Sequence, residues 1–330
     1  MPSDPNPPSR QSDPRRDPRR LFEAAQAGDK AAIGRLLSLI ERGGDLARRV
    51  GELTFAPSRA VDHVVGITGA PGAGKSTLTD RLIGAARADG GQVGVLAIDP
   101  SSPFSGGAIL GDRIRMQGHA LDEGVFIRSM ATRGSQGGLA LAAPEAIRVL
   151  AAVGMNLVLV ETVGVGQVEV EVAGEADTTL VVVTPGWGDS VQASKAGLLE
   201  VADIFVVNKA DRDGAAETRR DLENMLDINP AMGDWRPPVL LTSAATGAGI
   251  DALWSAVIEH RAHLEATGDL AIRRDRRLVD EMGRILVHLV ERDVRALEGS
   301  EGFEAVKAEL LGRRLDPYQA AARLLETGRS

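Results

Sequence analysis

The stretch 64-VVGITGAPGAGKST-77 decides the fold. Val64 to Thr68 form a short apolar run of strand length, and the residues from Ser76 onward carry helical spacing. Between them, Gly69 to Ser76 read G-x-x-x-x-G-K-[ST], a turn that makes physical sense only between a strand and a helix. Gly69, Gly72 and Gly74 let the backbone close around a diphosphate with successive N–H groups pointing inward. Ala70, Pro71 and Ala73 complete the turn, and Thr77 sits in the first turn of the helix. Lys75 brings a cation to the β and γ oxygens, and Ser76 offers a hydroxyl to Mg²⁺. The helix start adds about half a positive charge. The segment therefore reads as a cradle for a nucleoside triphosphate.

Outward from this point the pattern repeats. Further apolar runs are 93-VGVLAI-98, 157-LVLVE-161, 179-TLVVV-183, 204-IFVVN-208 and 239-VLLTS-243. They are continuous rather than alternating, as expected of strands buried on both faces of a parallel sheet. Residues 75–89, 139–153, 192–201 and 214–226 are long enough for crossover helices. The expected fold class is α/β: a mostly parallel, doubly wound P-loop domain. Four segments follow. Residues 1–20, rich in Pro, Arg and Asp, read as a disordered tail, and 21–60 as an N-terminal helical segment broken near Gly28-Asp29. Residues 61–267 form the nucleotide domain, and 268–330 a C-terminal helical extension. In that extension Val279, Met282, Leu286, Leu289, Val290, Val294 and Leu297 lie on one stripe of a helix over 276–297.

Composition narrows the function classes. The 330 residues are 43% hydrophobic and 25% charged, with a net charge of −8. A phosphate-coating nucleic-acid binder would lean basic, so no nucleic-acid partner is expected. No apolar run approaches the roughly 18 residues of a membrane span. There is no cysteine, which removes disulfides, thiolate nucleophiles and cysteine-based metal sites. The chain reads as soluble and cytoplasmic.

The base is chosen further along. Strand 204-IFVVN-208 leads into Asn208-Lys209-Ala210-Asp211, an N-K-x-D box. The Asp211 carboxylate can accept both the ring N–H and the exocyclic amine of guanine, whereas adenine offers no such donor pair. Lys209 can lay its stem along the purine, and Asn208 can tie loops together. Downstream, Ser243 and Ala244 of 242-TSA-244 offer backbone N–H groups to the guanine carbonyl. The expected ligands are GTP and GDP.

Asp99 and Glu161 end two strands at the carboxyl edge, where open sheets bind ligands, and such carboxylates suit Mg²⁺. Asp112, in the glycine-rich stretch 101–118, reads equally as a metal contact or as part of a plain salt bridge, and Arg113 and Arg115 equally as phosphate contacts or as ion pairs. The glycines of 162-TVGVGQ-167 allow a loop to rearrange when the γ-phosphate leaves. Gln167 reads as a water-positioner or, more simply, as a switch-loop hydrogen bond. His260 and His263, one helical turn apart, read as surface residues rather than metal ligands.

Taken together, GAPGAGKST, LAIDPSS, GGAILGDRIRM, VETVGVGQ, GDSVQASKAGLLEVADIFVVNKAD and TSA closely resemble the MeaB/ArgK/MMAA family of P-loop GTPases, over roughly Leu21 to the C-terminus. The resemblance implies a SIMIBI-type G domain and a homodimer with helical extensions at both ends. It implies GTP hydrolysis that gates cofactor loading and protection of an adenosylcobalamin-dependent acyl-CoA mutase, methylmalonyl-CoA mutase foremost. It leaves open whether a cobalamin adenosyltransferase joins. By the same resemblance Lys75, Glu161 and Asp112 are the catalytic set, and Ser76, Asp99, Asp112 and Glu161 serve Mg²⁺. Residues 184–195, with Asp189 and Lys195, look like a third switch. Ser190, Val191 and Trp187 depart from the pattern expected of many relatives. Two rival readings are a GTP-dependent metallochaperone, which the absence of cysteine opposes, and a kinase or ATPase linked to basic amino-acid transport, which N-K-x-D opposes.

Overall fold

The computed structural model describes residues 16–55, 61–100, 117–119, 121–132, 138–162, 174–186, 201–228 and 234–327. Helices α1 (Pro18–Gln26), α2 (Lys30–Arg42) and α3 (Gly44–Phe55) precede the first strand. The breaks between them follow from local chemistry. Asp17 caps α1 ahead of Pro18, and Asp29 caps α2 by accepting from the N–H groups of Ala31 and Ala32 at 2.8 and 3.2 Å, as short acidic side chains do at helix starts.

Among the described residues seven parallel strands follow: β1 (His63–Gly69), β2 (Val93–Pro100), β3 (Val125–Thr132), β4 (Leu157–Thr162), β5 (Thr178–Val183), β6 (Ile204–Val207) and β7 (Val239–Leu241). They lie in the order β3-β2-β4-β1-β5-β6-β7. The register places Val65 beside Leu159 on one side and Thr178 on the other. Among the described helices, α4 (Lys75–Ala88), α5 (Gly138–Ala152), α6 (Ala215–Ile228) and α7 (Ile250–Thr267) flank the sheet.

Alternate residues of each strand feed opposite layers, which is why the runs are continuous. Val64, Leu96, Ile98, Val158 and Val160 pack with α1, α2 and α5, joined by Leu36, Leu37 and Leu150. Val65, Ile67, Val95, Leu159 and Val182 pack with Leu78 and Leu82 of α4 and Leu253 and Val257 of α7. The N-terminal helices thus help close one face of the sheet.

Two expectations are corrected. The run 239-VLLTS-243 is strand only as far as Leu241. Strand β3 has no counterpart among the expected runs. Among the described residues it is an edge strand paired with β2 alone, and its Arg128 reaches across to Glu41 at 2.5 Å and Gly34 O at 3.1 Å. A strand with one open edge tolerates that polar residue, so its sequence lacks the apolar continuity of the central strands.

At the amino edge of the sheet lies a buried polar network. The Asp177 carboxylate accepts from the Val64 N–H at 3.0 Å and from Arg274 at 2.7 Å, and also pairs with Arg277. Asp203 accepts from the Thr179 N–H at 2.8 Å and from Arg273 at 3.0 Å. His63 and His260 both meet the Thr178 hydroxyl, at 2.7 and 2.8 Å. His260 is fully buried beside Trp235, whose ring lies 4.7 Å away between centroids. The surface reading of His260 is therefore wrong: it is a core histidine, held between a hydroxyl and the Asp203 carboxylate 3.3 Å away.

The chain divides into two compact units that part after Arg277. Helix α8 (Asp269–Ala296) begins next to the expected boundary at 268 and starts before the expected 276. It is followed by α9 (Glu301–Leu311) and α10 (Pro317–Thr327). Among the described residues no helix is long and apolar enough to cross a membrane.

Candidate active site

Strand β1 delivers the chain into the phosphate loop at the carboxyl edge of the sheet. Gly69 adopts φ +131°, and a Cβ there would collide with the Val182 carbonyl. Gly74, at φ +91°, is the N-cap of α4 and carries no side-chain cap. The first N–H groups of a helix lack intrahelical partners, and with no side chain at the cap the loop presents them to an anion. A Cβ on Gly74 would lie 2.5 Å from Asn208 Nδ2. The glycine is thus required both by backbone conformation and by the approach of a neighbouring loop.

The Lys75 ammonium folds back over this loop, donating to the carbonyls of Gly69 and Ala70, the latter at 3.1 Å. Below it the Ser76 hydroxyl donates to Glu161 Oε1 at 2.6 Å. The Thr79 hydroxyl stands 2.9 Å from Glu161 Oε2 and 3.0 Å from the Lys75 carbonyl, one proton facing two acceptors. Glu161, at the end of β4, is 1% exposed. A buried carboxylate held by two hydroxyls beside a phosphate loop is a set of hard oxygens, the donor chemistry Mg²⁺ takes. Ser76 and Glu161, both expected on separate grounds, thus stand side by side at the phosphate loop. Asp99 lies at the carboxyl end of β2, as expected. Asp112, Gln167, Asp189 and Lys195 lie outside the described residues, as do most of the three expected switch segments.

The base pocket is assembled by long-range contacts. Asn208 Nδ2 donates to Ala73 O at 2.8 Å, and its Oδ1 accepts from the Thr242 hydroxyl at 3.2 Å and the Ala244 N–H at 3.0 Å. One side chain thus joins the phosphate loop, the N-K-x-D loop and the loop after β7. Lys209 holds φ 61°, a left-handed conformation, and its ammonium donates to Gly72 O at 2.6 Å. Gly74, Thr77, Asn208, Lys209 and Asp211 line one cleft with Ser243 and Ala244. Ser243 is the main influence holding the Asp211 carboxyl below the ordinary aspartate range, ahead of Asp211's own backbone N–H. Asp211 is therefore an ionised acceptor at neutral pH.

The expectation for 242-TSA-244 needs correction. The Thr242 N–H donates to Val207 O, Ser243 to Ala248 O and Ala244 to Asn208. These three donors hold the loop together, while Ala245, exposed and lining the cleft, follows them. Arg212 also lines the cleft. Both were absent from the sequence reading: Arg212 could have been found from its place beside the N-K-x-D box, but Ala245 carries no sequence signal.

A family model described as methylmalonyl-CoA mutase-associated GTPase MeaB matches residues 34–298. A Pyrococcus horikoshii protein bearing a GTPase name is 48% identical over 309 residues, 93% of this chain and 96% of its own. The mouse methylmalonic aciduria type A homolog is 31% identical over 94% of this chain and 79% of its own length. Among solved structures, one titled as a LAO/AO transport system kinase superposes with a TM-score of 0.69 at 27% identity, covering 95% of this chain and 98% of that one. A match of this length, carried by loops that the fold has already drawn around one pocket, makes the chain a member of the MeaB family of GTPases.

Proposed function

We propose that this GTPase uses GTP binding and hydrolysis to gate cofactor loading and protection of an adenosylcobalamin-dependent acyl-CoA mutase, with methylmalonyl-CoA mutase the foremost candidate. The observation that carries the reading is the match of the mutase-associated family model across residues 34–298, supported by the likeness to the mouse methylmalonic aciduria homolog.

The chemistry rests on positioning and charge. The phosphate loop fixes the polyphosphate through backbone N–H groups, and Lys75 supplies a cation to its β and γ oxygens. Ser76 and Glu161, with Asp99 and Asp112 by resemblance, would hold Mg²⁺, which when bound neutralises charge on the phosphoryl oxygens. Thr79 and Ser76 keep the Glu161 carboxylate in place through its two oxygens. The rate of hydrolysis is expected to be slow in the isolated protein and faster with the mutase. Helix α8 supports a homodimer: Val279, Met282, Leu286 and Val290 are each more than half exposed along one stripe, and large exposed apolar stripes mark protein contacts.

The test is capture of candidate acyl-CoA mutases by the tagged protein in GDP and in a non-hydrolysable GTP analogue. Nucleotide-dependent capture of a mutase, with GTP turnover rising on its addition, is the expected result. Capture of no mutase in either state, with turnover unchanged, would overturn the gating role and leave the GTPase activity standing.

A further inference from the structure

Arg81, on the exposed side of α4, has no part in the phosphate loop or the N-K-x-D box, yet it grips the loop after β7. Its Nε donates to the Ala244 carbonyl at 2.9 Å and its Nη2 to the Ala245 carbonyl at 3.0 Å. The Ala244 carbonyl and the Ala245 N–H belong to the same peptide group. That group is planar and trans, so its C=O and N–H point in opposite directions. Holding the carbonyl toward Arg81 aims the N–H away from α4's outer side. Ala245 lines the base cleft there with Ala244, Asn208 and Asp211, and Arg81 does not. The three preceding N–H groups are spent on internal bonds, whereas none of the described residues accepts from that of Ala245.

We propose that Arg81 is a specificity-positioning residue: by clamping the Ala244 and Ala245 carbonyls it presents the Ala245 N–H to the 6-keto oxygen of guanine. A guanidinium on the carbonyl also polarises the peptide and strengthens the N–H as a donor. Adenine carries an amine at that position, so the aligned N–H would face a donor and leave both unpaired. Asp211 and Ala245 then read neighbouring groups on one edge of the ring, the first its donors and the second its acceptor. The inference rests on the guanine reading of the pocket and deepens it.

The experiment measures the binding of GDP, IDP and 6-thio-GDP to wild type, Arg81→Leu and Arg81→Lys by calorimetry. IDP keeps the 6-keto oxygen and lacks the 2-amine; 6-thio-GDP keeps the amine and offers a poorer acceptor. Arg81→Leu should weaken GDP and IDP equally, by roughly 5- to 10-fold for one misaligned hydrogen bond, and 6-thio-GDP by less than about 2-fold. Arg81→Lys, which keeps one donor site, should recover part of the loss. An equal loss for all three nucleotides, with unchanged melting temperatures, would overturn the proposal by making Arg81 merely structural. If wild type binds GDP and 6-thio-GDP equally, the 6-position is not read and the proposal also falls. Failure to bind GDP at all would instead remove the guanine reading beneath it.

Discussion

Lowering the pH from 7.5 to 5 should weaken the nucleotide domain through one residue, His63. Its ring is 2% exposed at the start of β1, and burial, the largest cause, holds its pKa down to about 4 from 6.5. Asp177 pulls it upward, while Arg261, His260 and Arg274 push it lower still. The sign follows from proton binding. The unfolded chain takes up the proton below about pH 6.5 and the folded one only near 4, so stability is full above 6.5 and is lost as the pH falls toward 4. A difference of about 2.5 units corresponds to about 3 kcal/mol across the whole window, of which about 2 kcal/mol is gone by pH 5. Asp177 and Asp203 have depressed values, each despite a burial effect that is the largest single influence and opposes the depression. Arginines draw Asp177 down, chiefly Arg274 and Arg277; for Asp203 it is His260 first and then Arg273. The stability these two contribute is lost only below their unfolded value near 3.8, outside the tested range. Urea unfolding followed by tryptophan fluorescence at both pH values, for wild type and His63→Gln, makes the comparison. Wild type should lose about 2 kcal/mol more than the variant between pH 7.5 and 5. Equal losses would refute the assignment of a buried, neutral His63.

Other substitutions follow from the same geometry. Asp211→Asn should lower GTP affinity by roughly 100-fold, because it replaces an ionised acceptor of two donors, and should raise affinity for xanthosine triphosphate; titration of both nucleotides checks it. Gly74→Ala should reduce nucleotide binding by about 10-fold or more while leaving the fold intact, since its Cβ would push on Asn208 Nδ2 at 2.5 Å and strain a left-handed backbone; binding and circular dichroism separate the two effects. Asp177→Asn should destabilise by about 3 kcal/mol or more, because it removes the charge that Arg274 and Arg277 face in a buried site; a urea titration at pH 7.5 reads the loss.

Much of this was legible in the residues because it is local. The phosphate loop, the N-K-x-D box and the central strands are written in contiguous spacing, and strands buried on both faces are mostly apolar. What was missed depends on partners far along the chain. Strand β3 hides Arg128 because α2 supplies Glu41 and Gly34 O. His260 looked like half of a surface pair, yet Thr178, Asp203 and Trp235 surround it from distant segments. Which N–H of the loop after β7 keeps no acceptor among the described residues depends on Asn208 taking that of Ala244. No pattern within residues 242–245 encodes that choice.

The most direct test of the account is calorimetric titration of the purified protein with GDP and ADP in the presence of Mg²⁺. A pocket that sets the Asp211 carboxylate at the purine edge predicts saturable GDP binding and at least roughly 100-fold weaker ADP binding. Equal affinity for the two, or a preference for ADP, would contradict it.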